Sequence, residues 1–309
     1  MDEQLVALYH RHVATAFDRT LRLAEFVARA AGKVKWKYEV AAARLACGPK
    51  LGFDAPLLGS HAHAAGSWLW AWSNRNLKLT LTNRALGDLV RATAHKIGVP
   101  ALAHAGFPLE PLLGPELTKH AAAVVGVVLS RELGYDAYHL VPEEGHTSTA
   151  LVRDDRLTSA ERYPLHRVLT VFPKVVAALP VFDHRAALAH YARDYGLTPT
   201  VAAGVLTVSD GKGTVTATFD EHDRLLKLTG ADVAAPPVKK PAKKPAVKAA
   251  PAPKTTKAAK PSAKKPVSKG KPAAKPAKVV AKKPAAKAVV KKAAKPAPEG
   301  GARGAAKKR

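Results

Sequence analysis

The stretch HAHAAGSWLWAWSN, residues 61–74, sets three tryptophans at alternating positions directly after two histidines at alternating positions. Alternation is the period of a strand, whose successive side chains point to opposite faces. Trp68, Trp70 and Trp72 are therefore expected on one strand face. Ala64, Ala65 and Gly66 fit a three-residue hairpin loop closed by a left-handed glycine. In that register His63 faces Ser67, Ala62 lies across from Trp68, Ser60 from Trp70 and Leu58 from Trp72. His61 and His63 then share the other face with Leu69 and Ala71. A two-residue loop would exchange the faces and put histidine beside tryptophan. Small residues across from large rings predict a surface on which a helix packs closely.

Two uses of that surface follow. Trp68, Trp70 and Trp72 are a core face if helices cover the sheet, because each ring buries a large apolar area. They are a candidate pocket or base-stacking platform if cations flank them, and Arg75 and Lys78 lie just beyond. The core reading ranks first. His61 and His63 could supply two metal ligands, but a site needs a third and a fourth. His10, His12, His184 and His190 have no metal spacing either. A surface or hydrogen-bonded role is expected for His61 and His63, with no metal and no cofactor.

Catalytic templates are missing. The chain has no G-x-S-x-G, no phosphate-binding glycine loop and no H-E-x-x-H, and its one cysteine, Cys47, lacks a nucleophile's context. SDGKGT at 209–214 has strand-like flanks and reads as a hairpin tip. Glu143, Glu144, Asp154 and Asp155 read as solvated turn residues. An enzyme with His61 or His63 as acid or base beside the tryptophans is the weakest reading.

Outward from the tryptophans the pattern is α+β. Val6, Tyr9, Val13, Phe17, Ala24 and Val27 trace one helical face that stops at Gly32. KVKWKYEV, ARLACG, DAPLLGSHAH and SWLWAWSN predict an antiparallel meander. LTNRALGDLVRATAHKIG and PELTKHAAAVVGVVLSREL predict two helices, and YDAYHLV with TSTALV a hairpin. This α+β domain spans 1–152. Residues 153–230 predict a smaller helix-helix-strand unit that either stands alone or completes the same domain. RYPLHRVLTVFPKVVAAL and DHRAALAHYARDYG are its helices, with Pro173 bending or splitting the first. TPTVAAGVLTV, GTVTATFD and RLLKLTG are its strands, up to three of them.

One thiol cannot form an internal disulfide, so a reducing compartment is expected. The acidic start lacks the layout of a signal peptide. HAAAVVGVVL is too short to span a membrane, so the expectation is a cytoplasmic protein without a transmembrane segment.

At Ala231 the vocabulary changes to Lys, Ala, Pro and Val. Residues 231–309 carry 24 basic and two acidic side chains, 13 prolines and no aromatic ring. Their net charge is +22 of the chain's +26, which leaves +4 for residues 1–230. Such a segment cannot bury enough apolar surface to fold, and a disordered, extended tail is expected. Its lysines favour polyanions through counterion release, and without base-reading groups they should bind DNA regardless of sequence. The expected contacts are Lys239, Lys240, Lys243, Lys244, Lys248, Lys254, Lys257, Lys260, Lys264, Lys265, Lys282, Lys283, Lys291 and Lys292. RNA or another polyanion is the alternative ligand, and nucleoid association follows from the DNA reading.

LLGSHAHAAGSWLWAWSN, KIGVPAL and YDAYHLVPEEG together resemble an uncharacterised bacterial family, domain of unknown function 6882, whose members carry a GTWLWAWAN-like strand. The resemblance covers roughly residues 30–152 and implies a compact α+β domain of no assigned activity. Ser67 stands where the family pattern has Thr, and Ser73 where it has Ala. The tail is similar in composition to linker-histone tails. Two binding readings result. The first is a non-enzymatic protein tethered to DNA by its cationic tail; the second is an interaction or immunity-type protein whose body recognises a protein partner while the tail only solubilises.

Overall fold

Helix α1 (Glu3–Ala31) is the spine of the fold. Asp2 caps it by accepting the Leu5 N–H at 2.9 Å, and Gly32 ends it at φ +71°. Val6, Tyr9, Val13 and Val27 are buried as the helical period requires, and Phe17 is partly buried. Ala24, expected on that face, is exposed, and Leu23 points inward instead. The inward stripe shifts because different elements cover the two ends. The first half meets the main core, while Leu23 and Val27 join a second cluster with Leu45, Cys47, Phe53, Ala55, Ala137, Ala150 and Val152. The computed structural model describes residues 1–157 and 162–236; the expected disordered tail lies outside these residues from 237 onward.

The chain is α+β, with antiparallel pairing in every described sheet. Strands β1 (Trp36–Glu39), β2 (Arg44–Cys47) and β3 (Leu51–Asp54) form a meander. The sequence reading runs one strand over 54–63 and none over 51–53, whereas the structure ends β3 at Asp54 and starts β4 (Leu57–Ala62) after a break. Pro56 stands between them, and a residue without an N–H cannot carry a ladder through.

The second sheet adds β5 (Ser67–Trp70), β6 (Gly106–Pro108), β7 (Ala137–Glu143) and β8 (His146–Val152) in the order β6-β5-β4-β8-β7. It is two hairpins laid side by side with β6 on one edge, so the meander does not continue into it.

Helix α2 (Leu81–Lys96) forms as the sequence predicts. The single helix expected over 115–133 is instead α3 (Glu110–Thr118) and α4 (Ala121–Glu132), bent by 115°. Thr118 donates its hydroxyl back to the Gly114 carbonyl at 2.7 Å, and His120 leaves helical geometry. The His120 carbonyl then starts α4 by accepting from Ala123 and Val124. Ala121 to Ser130 is buried on every side, so α4 needs cover all round. At Gly126 a Cβ would stand 2.9 Å from the Tyr138 ring, and the bare glycine lets α4 lie against β7. No single described helix is long and apolar enough to cross a membrane.

Helix α5 (Pro164–Ala178) continues through Pro173 without splitting, and α6 (His184–Asp194) follows. Four strands replace the three expected. β9 (Thr198–Ala202) and β10 (Val205–Ser209) turn at Ala203 and Gly204, both with positive φ, as a two-residue hairpin requires. β11 (Thr214–Phe219) and β12 (Leu225–Ala231) complete the order β12-β11-β10-β9. The 210–213 turn is a hairpin tip whose Asp210 carboxylate accepts the Lys212 and Gly213 N–H groups. One cluster of buried side chains runs from Leu5 through Trp70 and Val125 to Phe172 and Ala217.

Candidate functional site

The tryptophan hairpin differs from its expected register. Four residues, His63 to Gly66, join β4 to β5, so Ala62 pairs with Ser67, His61 with Trp68, Ser60 with Leu69 and Gly59 with Trp70. One residue more in the loop exchanges the faces, and histidine does lie beside tryptophan. The neighbouring hairpin sets this count. The His63 N–H donates to the Gly145 carbonyl, and the Gly66 N–H donates back to the His63 carbonyl, which closes a four-residue turn. Gly66 is left-handed, at φ +55°.

Trp68 and Trp70 are buried, at 1% and 0% exposure. Trp72 lies past the end of the strand on a 3-10 turn, yet it returns to the stripe by stacking on Trp70, 4.6 Å between ring centres and 13° between planes. Gly59 makes room for the Trp68 ring, which a Cβ there would meet at 2.8 Å. Gly87 of α2 does the same for Trp72 at 2.9 Å, so the helix lies flush on the indole. Arg91, not Arg75 or Lys78, stands over Trp72, at 5.7 Å. The indole N–H groups of Trp68 and Trp70 find no partner among the described residues, and the rings act through apolar area and ring contacts.

The histidines tie elements together. His61 is buried and 5.1 Å from the exposed His63 ring, and burial, aided by His63, lowers its pKa. The His63 Nε2 lies 3.0 Å from the Thr147 hydroxyl. His12 reaches Glu132 at 2.7 Å, and burial lowers its pKa in spite of that carboxylate. His10 and His184 accept the N–H groups of Phe182 and Leu225. Among the described residues no three His, Cys, Asp or Glu side chains gather as a metal site. Burial raises the Cys47 thiol to about 11, far from a nucleophile's range.

A second place, not singled out in the sequence, gathers charge. The polar side of α1 runs from Thr15, which donates to Asp194 at 2.6 Å, to Asp18, which is fully buried. Arg167 and the Tyr195 hydroxyl both donate to Asp18, and Arg167 also reaches Glu25 at 2.9 Å. Burial works against the Arg167 charge, but the two carboxylates prevail and raise its pKa. Past this knot the stripe opens into a cleft of about 410 Å³, lined by Arg22, Glu25, Phe26, Arg29, Arg156, Leu157, Arg162, Tyr163, His166, Arg167 and Pro236. Arg156 is held by Asp154 and lies over Phe26 and Phe53 at 5.2 and 5.0 Å. The one signal in the sequence was Arg22 and Arg29, seven residues apart and so on one helical face. The fourteen tail lysines lie outside the described residues.

Residues 6–155 match the model of a family of unknown function, DUF6882. No curated protein and no solved structure matches the chain.

Proposed function

We propose that this chain, whose residues 6–155 match the DUF6882 family of unknown function, is tethered to DNA, without regard to sequence, by the lysine-rich segment 231–309. One observation carries the reading: that segment holds +22 of the chain's +26 net charge and no aromatic side chain. Lysines on phosphate release condensed counterions whatever the bases are. Base-edge reading needs forked or planar donors and stacking needs rings, and the segment is almost without either.

The test compares the full chain with a full-length variant in which all 22 lysines of residues 231–309 become glutamine, on two unrelated duplexes at one salt concentration. The unaltered chain should bind both duplexes alike, and the variant should lose most of its affinity for both. Equal affinity of the two proteins would overturn the reading.

A further inference from the structure

We infer that the arginine-lined cleft at the C-terminal end of α1 seats the phosphodiester backbone of duplex DNA, a contact from the body that rests on the tail being the main tether. Charge is the first argument. The five arginines and one glutamate lining the cleft carry a net +4, the whole net charge of residues 1–230. Asp18 and Asp154 lie behind the lining and pair with Arg22, Arg167 and Arg156, and with them counted the cleft keeps a net +2.

The second argument is which guanidinium groups are spent. Arg167 is committed to Asp18 and Glu25, and Arg156 to Asp154. Arg29 and Arg162 are exposed and have no ion-pair or hydrogen-bond partner among the described residues. A guanidinium offers a planar fork of donors that matches two oxygens of a phosphate, so these two are the groups a backbone would engage. Helix α5 adds to them. It begins at Pro164 with no side-chain cap among the described residues, and its first N–H groups bring partial positive charge to the same wall.

The third argument is where the chain goes next. Val233 packs against the core beside Leu169, Pro236 lines the cleft, and Lys239 follows three residues later in the sequence. Three residues span at most about 10 Å of chain. A strand drawn in by the lysines is thus brought to the body at the cleft. The lining is mostly charged, with Phe26 already covered by Arg156, which suits a solvated backbone better than an enclosed base.

The experiment uses the full chain and measures duplex affinity across salt concentrations for the unaltered protein, for Arg29→Ala with Arg162→Ala, and for a charge-matched control, Arg75→Ala with Arg84→Ala. Arg75 and Arg84 are exposed and do not line the cleft. Each phosphate contact contributes about 0.9 to the slope of log K against log salt, so the cleft variant should be shallower by about 2 and the control unchanged. In parallel, phenylglyoxal labelling of the unaltered chain, read by mass spectrometry, should show duplex protecting Arg29 and Arg162 and sparing Arg75 and Arg84. A cleft variant with the unaltered slope, a control that falls as far, or absent protection would each overturn the cleft and leave the tether standing. No duplex binding by the unaltered chain would overturn both. Protection matched by inorganic phosphate at equal phosphate concentration would also overturn it, in favour of a small-anion site.

Discussion

The tryptophan hairpin and the arginine cleft both place rings near cations, and they put them to opposite uses. In the hairpin Trp68 and Trp70 are sealed inside, their neighbours are glycines and another ring, and the nearest cation only lids Trp72. In the cleft Phe26 is the covered floor and the guanidinium groups are the surface. Rings that stack on each other and on a helix have spent their faces on folding. Cations that lack partners have spent nothing. On the proposal made above, the hairpin serves stability and the cleft recognition.

That division has consequences of graded size. Trp70→Ala removes the most enclosed ring and should cost about 3–5 kcal/mol in urea unfolding. A cost under 1 kcal/mol would mean that the stripe is not packed as described.

Acid comes next. Burial lowers His139 from 6.5 to about 4 where it stacks on Trp36, 5.0 Å away, and His10, His12, His61, His184 and His190 are lowered too. A histidine kept neutral by the fold takes its proton at higher pH when unfolded, so stability is complete above about pH 6.5 and falls toward pH 4. His139 keeps part of its ring at the surface, and its share should be about 2 kcal/mol. His139→Phe keeps a ring on Trp36 and should flatten the acid limb of the stability profile. An unchanged limb would remove His139 from the account.

Gly87→Val tests the helix on Trp72 and should cost about 1–3 kcal/mol through overpacking. Smallest of all, Arg29→Ala with Arg162→Ala should change stability by less than about 0.5 kcal/mol, because exposed groups without partners among the described residues contribute little to packing. A larger loss in thermal melting would give the cleft a structural role and erase the contrast with the hairpin.

Much of the fold was legible in local pattern. The helices α1, α2, α5 and α6 stand where the sequence places them, and Gly32 ends the first as its pattern predicts. The β7–β8 hairpin follows from alternation. What escaped depends on partners distant in the chain. The loop takes in His63 and is one residue longer than expected, and the His63 N–H donates to the carbonyl of Gly145, 82 positions on. The break at His120 serves a helix that must be covered on all sides. The cleft was hidden because its arginines come from α1, from the 155–157 turn and from the start of α5, and no window of sequence contains them. Only Arg22 and Arg29, seven residues apart on one helical face, could be read from the sequence.

The central claim is that charge carried by the chain, and little else, holds the protein to DNA. Its most direct test is the affinity of the full chain for one duplex, measured across a series of salt concentrations. With about eight lysines and the two cleft arginines on phosphate, log K should fall with log salt at a slope near −9. A slope between zero and about −1 would contradict the account, because binding would then rest on contacts that salt does not screen.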